Sequence, residues 1–220
     1  MVKTLYLARH GQTLFNLHHK SQGITDSPLT ALGIKQAEIT GQHFKDLGVN
    51  FDYRYSSTSF RAVKTLMLMS GQKPDLTLEE LCEQNFGVYE AQDEYLRPRD
   101  GMDVTDAYYE HSGVEKTGHV QKRMLETITK LMDEAKDNTN TLIVGHGFAN
   151  YTFNLFVSDY PKPAFGPHDL SDELAQKSMA LFIPNAGYLK LTYDKGHFNF
   201  IERYDPKDGT VTDMTSFSLK

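Results

Sequence analysis

Two stretches of this chain end alike. Thr4–Ala8 runs into Arg9-His10-Gly11, and Thr141–Val144 runs into Gly145-His146-Gly147. Each is short and β-rich, as a buried strand would be. Each histidine therefore falls just past a strand's carboxyl end, where open α/β sheets hold ligands. Glycine beside each imidazole allows unusual backbone angles and close approach of a ligand. Arg9 adds a permanent positive charge on a planar fork that matches phosphate oxygens. One histidine after a strand is usually an ordinary loop residue. Two, one of them beside an arginine, point to the handling of a phosphate-sized anion.

The intervening pattern supplies elements to position these groups. Thr30–Leu47 reads as a helix, with Thr30 as N-cap after Pro28 and Gly48 as terminator. Ala37, Gly41 and Phe44 share one face, and Gly41 lets this helix approach a neighbour closely. Phe51–Ser56 alternates like a strand, and Thr58–Met69 follows as a helix capped by Ser57 or Thr58. Leu76–Leu81 reads as a short strand or a loop. Val88–Lys116, rich in Asp, Glu, Tyr and Gly, lacks periodicity and is expected to form an inserted lid. In Thr117–Ala135, Val120, Met124, Ile128, Leu131 and Ala135 recur at helical spacing. Phe148–Val157 reads as another helix. Gly187–Tyr193 and His197–Tyr204 form a hairpin around Asp194-Lys195-Gly196, and the polar residues from Asp205 onward read as a loosely held tail. The alternation implies an α/β fold: a three-layer α/β/α sandwich with a mostly parallel central sheet and helices on both faces. One domain over residues 1–220, with the lid at 88–116, is expected.

Composition narrows the function. At 220 residues, with 39% hydrophobic and 24% charged residues, the chain is long enough for a sizeable core. A net charge of −6 argues against nucleic acid or an anionic membrane as partner. Cys82 is the only cysteine, which rules out an internal disulfide framework and a Cys-rich zinc site and suits a reducing interior. The first residues lack the pattern of a secretion signal, and no apolar run approaches the roughly 18 residues of a membrane span. A cytoplasmic protein is the expectation.

The motifs go further. Leu7-Ala8-Arg9-His10-Gly11-Gln12-Thr13-Leu14-Phe15-Asn16 resembles the signature of the histidine phosphatase superfamily, the phosphoglycerate mutase-like proteins. The likeness continues through Gln22-Gly23-Ile24-Thr25-Asp26-Ser27-Pro28-Leu29-Thr30, with Gly33, Gln36 and Ala37. It recurs at Ser56–Ala62, at Leu81-Cys82-Glu83 with Phe86-Gly87, at Gly145-His146-Gly147 and at Pro184-Asn185-Ala186. The resemblance implies that His10 is a nucleophile that holds a phosphoryl group covalently. It implies a phosphate pocket of Arg9, Arg61 and a protonated His146, with Asn16, Gln22, Gly23 and Gly147 contributing. Glu83 matches the general acid. The substrate implied is a small phosphate ester. No cofactor or metal is implied, though inorganic phosphate or sulfate fits the same pocket. His18-His19 resembles a metal pair only superficially, because adjacent side chains do not converge. His111, His119, His168 and His197 read as loop or surface residues.

Three departures bear on activity. Mutases of this family carry arginine directly after the acid, where Gln84 stands here, so hydrolysis is the favoured reading over mutase-type transfer. Gly145 replaces a common serine and is expected to loosen its loop. Ala186-Gly187 replaces a commoner Ala-Ser and puts one phosphate-side contact in doubt. Tyr95, Tyr108 and Tyr109 with Arg97 and Arg99 are candidates for a substrate mouth, with packing the plainer alternative. A non-catalytic scaffold domain is the reading from another class; it is disfavoured because His10, Arg9, Arg61, His146 and Glu83 are all present. Oligomeric state and natural substrate are not readable.

Overall fold

A computed structural model describes residues 2–97, 106–158 and 177–217. Among these, seven strands form one sheet: β1 (Lys3–Arg9), β2 (Tyr53–Ser57), β3 (Leu76–Leu78), β4 (Asn140–Gly145), β5 (Tyr188–Asp194), β6 (His197–Asp205) and β7 (Thr210–Asp213). Their order is β3-β2-β4-β1-β5-β6-β7. The expected parallel arrangement holds for β3, β2, β4 and β1. From β1 outward, β5, β6 and β7 pair antiparallel, so the sheet is mixed.

The two faces of the sheet follow from side-chain alternation. Leu5 and Leu7 of β1, with Ile143 of β4, pack beneath α5 (Thr117–Glu134) and α6 (Gly147–Val157), against Met124, Ile128 and Phe153. Tyr6 and Ala8, with Leu142 and Val144, face α2 (Ala31–Asp46) and α3 (Phe60–Ser70), against Ala37, Phe44 and Leu66. A core thus lies on each side, as three layers require. Thr30 caps α2 by accepting from the Gly33 N–H. The close approach expected of Gly41 is present: a Cβ there would lie 2.6 Å from the Leu68 carbonyl oxygen of α3.

Several expectations are corrected. The tail beyond Asp205 is not loose, because β7 pairs with β6 and Met214 is buried in the core; the polar residues there are those of an exposed edge strand. Helix α3 is capped by Ser59, which makes no side-chain cap bond. Leu76–Leu81 is both of the alternatives, a short strand followed by a single 3₁₀ turn. Within 88–116 lies a helix, α4 (Asp106–Ser112); residues 98–105, including Arg99, are outside the described residues, as is His168. A four-residue helix, α1 (Leu14–Leu17), follows β1. No helix among the described residues is long and apolar enough to cross a membrane.

Candidate active site

Register brings the two histidines together. In the parallel β1–β4 pair Arg9 is level with Gly145, so both strands end at one height and release His10 and His146 side by side. The His10 N–H donates to the Gly145 carbonyl at 3.1 Å, and the ring centroids lie 5.2 Å apart. β2 ends alongside, with Ser56 level with Val144.

Hydrogen bonds assign the tautomers. His10 Nδ1 lies 2.8 Å from its neighbour's carbonyl, Gly11 O, which only accepts. Nδ1 therefore carries the proton, and Nε2 keeps its lone pair. His146 is the reverse: Arg61 Nη2 donates to its Nδ1 at 3.0 Å, so Nε2 carries the proton and donates to Ser57 Oγ at 2.7 Å. One imidazole is left with a bare nucleophilic nitrogen, and the other is tied at both.

The cations are buried with them. Arg61, fully buried in the first turn of α3, donates to the carbonyls of Thr25 and Gly23 and to Asp26 Oδ1 at 3.0 Å. Arg9 lies over the Phe182 ring, 5.1 Å from its centroid. Burial, then the Glu83 and Glu94 carboxylates opposing it, leaves the Arg9 pKa at about 10, so it stays charged at neutral pH. Burial first, then Arg61, pushes both imidazoles well below the ordinary histidine range. The protonated His146 expected from sequence is thus corrected: with two guanidiniums beside it, this ring is neutral.

Arg9, His10, Asn16, Gln22, Arg61 and Glu83 line one hollow of about 280 Å³, which Gly23 and Gly147 also border. Asn16 sits in α1, where its Oδ1 accepts from Thr13 N and Asn185 Nδ2, both at 3.2 Å, leaving its amide N–H groups as donors. Gln22 Oε1 accepts from Thr13 Oγ1, while its Nε2 is buried without a partner among the described residues. Gly23 contributes its carbonyl to Arg61. Gly147 opens α6, and a Cβ there would press on the Arg9 guanidinium at 3.2 Å. Glu83 is 8% exposed, and its carboxylate accepts from Phe148 N at 2.9 Å and Ala149 N at 2.8 Å. The helix N-terminus seats it.

The departures acquire physical content. Gly145 does not loosen its loop: it lies within β4, and Asn150 fills the space a side chain would need, with Oδ1 only 2.6 Å from the Cβ position. Asn150 Nδ2 donates to the Ala8 carbonyl, tying α6 to β1. At Gly187 a Cβ would lie 2.5 Å from Tyr204 O, so serine has no room there. Gln84 turns from the hollow and donates to the Glu115 carbonyl at 2.6 Å. Of the proposed mouth residues, Arg97 borders the hollow and stacks on Phe86 at 4.1 Å. Tyr95 is 75% exposed, and Tyr108 packs on Tyr89 and Tyr109. His19 is exposed, 4.0 Å from Glu94.

Two residues escaped the sequence reading. Asp26 binds Arg61 and also accepts from the Phe60 N–H, anchoring the start of α3. Ser57 fixes the His146 tautomer. Both stand inside quoted motifs, but a motif gives no partner: Ser57 finds His146 through the pairing of β2 with β4, and Asp26 finds Arg61 through the packing of its loop on α3.

Three comparisons place this geometry. The model of the histidine phosphatase superfamily (branch 1) matches residues 5–205. An uncharacterized phosphatase, PhoE, of Bacillus subtilis (strain 168) is 31% identical over 154 residues, 69% of this chain and 76% of that protein. A 2,3-bisphosphoglycerate-dependent phosphoglycerate mutase 2 of Lactiplantibacillus plantarum is 35% identical over 89 residues, which span 38% of this chain and only 39% of the mutase. Among solved structures, a phosphoserine phosphatase of Entamoeba histolytica in complex with 3-phosphoglyceric acid is 26% identical. It superimposes with a TM-score of 0.70, covering 92% of this chain and 97% of that one.

Proposed function

The chain belongs to the histidine phosphatase superfamily, and we propose that within it this protein is a phosphatase that hydrolyses small phosphomonoesters through a phosphohistidine on His10. The observation that carries this is the bare Nε2 of a buried His10, 5.2 Å in ring separation from His146 and flanked by Arg9 and Arg61.

In the first step, His10 Nε2 attacks phosphorus and the bond from phosphorus to the alcohol oxygen breaks. Glu83 supplies the departing oxygen with its proton through Oε2, whose one bond, to Phe148 N, leaves a lone pair for it. In the second, Glu83 takes a proton from water as that water attacks the phosphohistidine. The P–N bond breaks, inorganic phosphate leaves, and His10 and Glu83 return to their starting states. Phosphoryl transfer asks mainly for in-line placement and neutralised oxygens. Two guanidiniums and the amides of Asn16 and Gln22 are the candidates for this. Each charge-assisted bond is worth roughly 1.5–3 kcal/mol, so losing one costs about tenfold to a hundredfold in rate.

Hydrolysis is favoured over mutase-type transfer because the position after the acid carries a neutral amide that faces Glu115 instead of a cation facing the hollow. Fewer cations near the acid leave less to retain a bisphosphate intermediate against water. The test is an assay on p-nitrophenyl phosphate, with and without chelator, beside a mutase assay on 3-phosphoglycerate. Hydrolysis insensitive to chelator and lost in His10→Ala, with acid-labile phosphate trapped on His10, is the expected result. Full activity in His10→Ala sinks the scheme, and mutase turnover faster than hydrolysis transfers the assignment to the alternative.

A further inference from the structure

Glu83 sits on a stretch of chain with little regular structure of its own. After the single turn Glu79–Leu81, residues 82–85 lie outside every strand of the sheet, so their backbone carbonyls need partners from elsewhere. One side chain supplies two of them and binds a third carbonyl in the turn before. Arg123, on α5, donates from Nη1 to Glu80 O at 2.7 Å and Cys82 O at 2.6 Å, and from Nη2 to Glu83 O at 3.1 Å. Its Nε and Nη2 also grip Glu115 at 2.8 and 2.9 Å. All five guanidinium N–H donors are thereby engaged. Glu115 is tied to the same stretch from the other side, its Oε2 accepting from Asn85 N and its backbone N–H donating to Asn85 O.

We infer that Arg123 is the positioning residue for Glu83, fixing the backbone from which the carboxylate reaches the leaving oxygen. Arg123 does not border the phosphate hollow; it lines a separate cleft behind Glu83. Apart from a minor charge effect on His146, its influence on chemistry passes through the glutamate. Glu83 is held at two levels: its carbonyl by α5, and its carboxylate by the first turn of α6 through Phe148 N and Ala149 N. A lysine could make a point contact but not the five-fold fork. This inference rests on the assignment of Glu83 as the acid in the proposed phosphatase.

The experiment compares esters that differ in need for an acid. p-Nitrophenolate leaves without a proton, whereas an alkoxide, as from glycerol phosphate, does not. Read as kcat/KM, which reports the first step and not the hydrolysis of the phosphohistidine common to both esters, Arg123→Met should slow the alkyl ester about tenfold to a hundredfold, the cost of misplacing a reacting group by about 1 Å, and p-nitrophenyl phosphate less than about threefold. Arg123→Lys should recover only a small part. On a Glu83→Gln background, adding Arg123→Met should cost the alkyl ester less than about threefold, because the group it positions is already disabled. Equal losses on both esters, or full losses in the double variant, overturn the inference. A readout independent of catalysis is amide hydrogen exchange at Phe148 and Ala149, which should quicken in Arg123→Met as the carboxylate leaves its seat. Unchanged exchange also overturns it. Should Arg123→Met fail to fold, Glu115→Gln loosens the same fork and should show the same split between esters in weaker form. If His10→Ala retains activity, the phosphatase reading falls by itself, and the exchange measurement still decides whether Arg123 holds Glu83.

Discussion

The floor of the hollow and its mouth are built on opposite principles. On the floor, Arg9, His10 and Arg61 leave the end of β1 or the first turn of α3, and each is fixed by bonds to backbone or to the fully buried His146. At the mouth, the side chains of Lys20, Glu94 and Arg97 meet only other side chains among the described residues: Lys20 pairs with Asp93 at 2.6 Å with both partly exposed, Glu94 lies 4.0 Å from His19, and Arg97 rests on a ring. Backbone register cannot drift without breaking the sheet, whereas a surface pair costs little to rearrange. The floor is thus suited to fixed chemistry and the mouth to adjustable selection. If that contrast is real, substitutions should lose force steadily from floor to rim.

The largest effect belongs to Arg61→Met. It removes a guanidinium from the phosphate site and leaves Asp26, about one-third exposed, without its partner. Activity on p-nitrophenyl phosphate should fall at least about a hundredfold, and the urea midpoint should report a loss of about 2–3 kcal/mol, below the figure for fully buried pairs. Because Arg61 helps to depress both imidazoles, their titration followed by NMR should move upward. Activity within threefold of the parent would remove the floor's special status.

Next comes Gly33→Ala, which touches no reacting group. The added Cβ would lie 2.0 Å from Gln12 O, and on the other side of the contact a Cβ on Gly11 would lie 2.4 Å from Gly33 O. The loop carrying His10 must therefore shift. Overpacking of this kind costs about 1–3 kcal/mol, and a sub-ångström displacement of the nucleophile should lower kcat about tenfold. Thermal melts and kinetics on one substrate suffice. A variant with parent stability and parent kcat would show that the contact between α2 and this loop is incidental.

Smaller still is a pH effect that needs no mutation. Both imidazoles are held neutral in the fold, with pKa values below the unfolded 6.5. Between those values the unfolded chain binds more protons, so stability is full above about pH 6.5 and falls as pH drops below it, by up to about 1.4 kcal/mol per histidine per pH unit. Phosphate supplies the missing negative charge and raises both pKa values. Its stabilising shift in melting temperature should therefore grow from pH 7.5 to pH 5.5. A shift that shrinks as pH falls contradicts neutral imidazoles in the free site.

The same contrast explains what could be read in advance. His10 and His146 were legible because strand ends and flanking glycines are local signals, and because the matching blocks recur in order. Ser57, Asp26 and Arg123 were not, since their importance lies in distant partners: Ser57 meets a histidine 89 positions away, and Arg123 holds carbonyls 40 to 43 positions back. The charge state of His146 was misjudged for a related reason. Its sequence neighbours are glycines, and the guanidinium that governs it enters from α3. β7 was missed because an exposed edge strand such as Thr210–Asp213 offers no apolar face to read.

The weakest expected effect lies at the rim, in Lys20→Ala. The residue ends an isolated bridge in which Lys20 is level with Asp93, joining the segment after α1 to the stretch that follows Glu83. That bridge is a backbone contact and survives the truncation. What goes is a screened surface pair, so the melting temperature should stay within about 2 °C. Hydrolysis of p-nitrophenyl phosphate should change less than about threefold, because the buried cations already neutralise the phosphate. An ester with a second anionic group long enough to reach the rim is another matter: its KM should rise, and the rise should fade as salt is added, while its kcat holds. A loss of kcat on the small ester would place Lys20 functionally on the floor, and the division between fixed chemistry and adjustable selection would have to be redrawn around it.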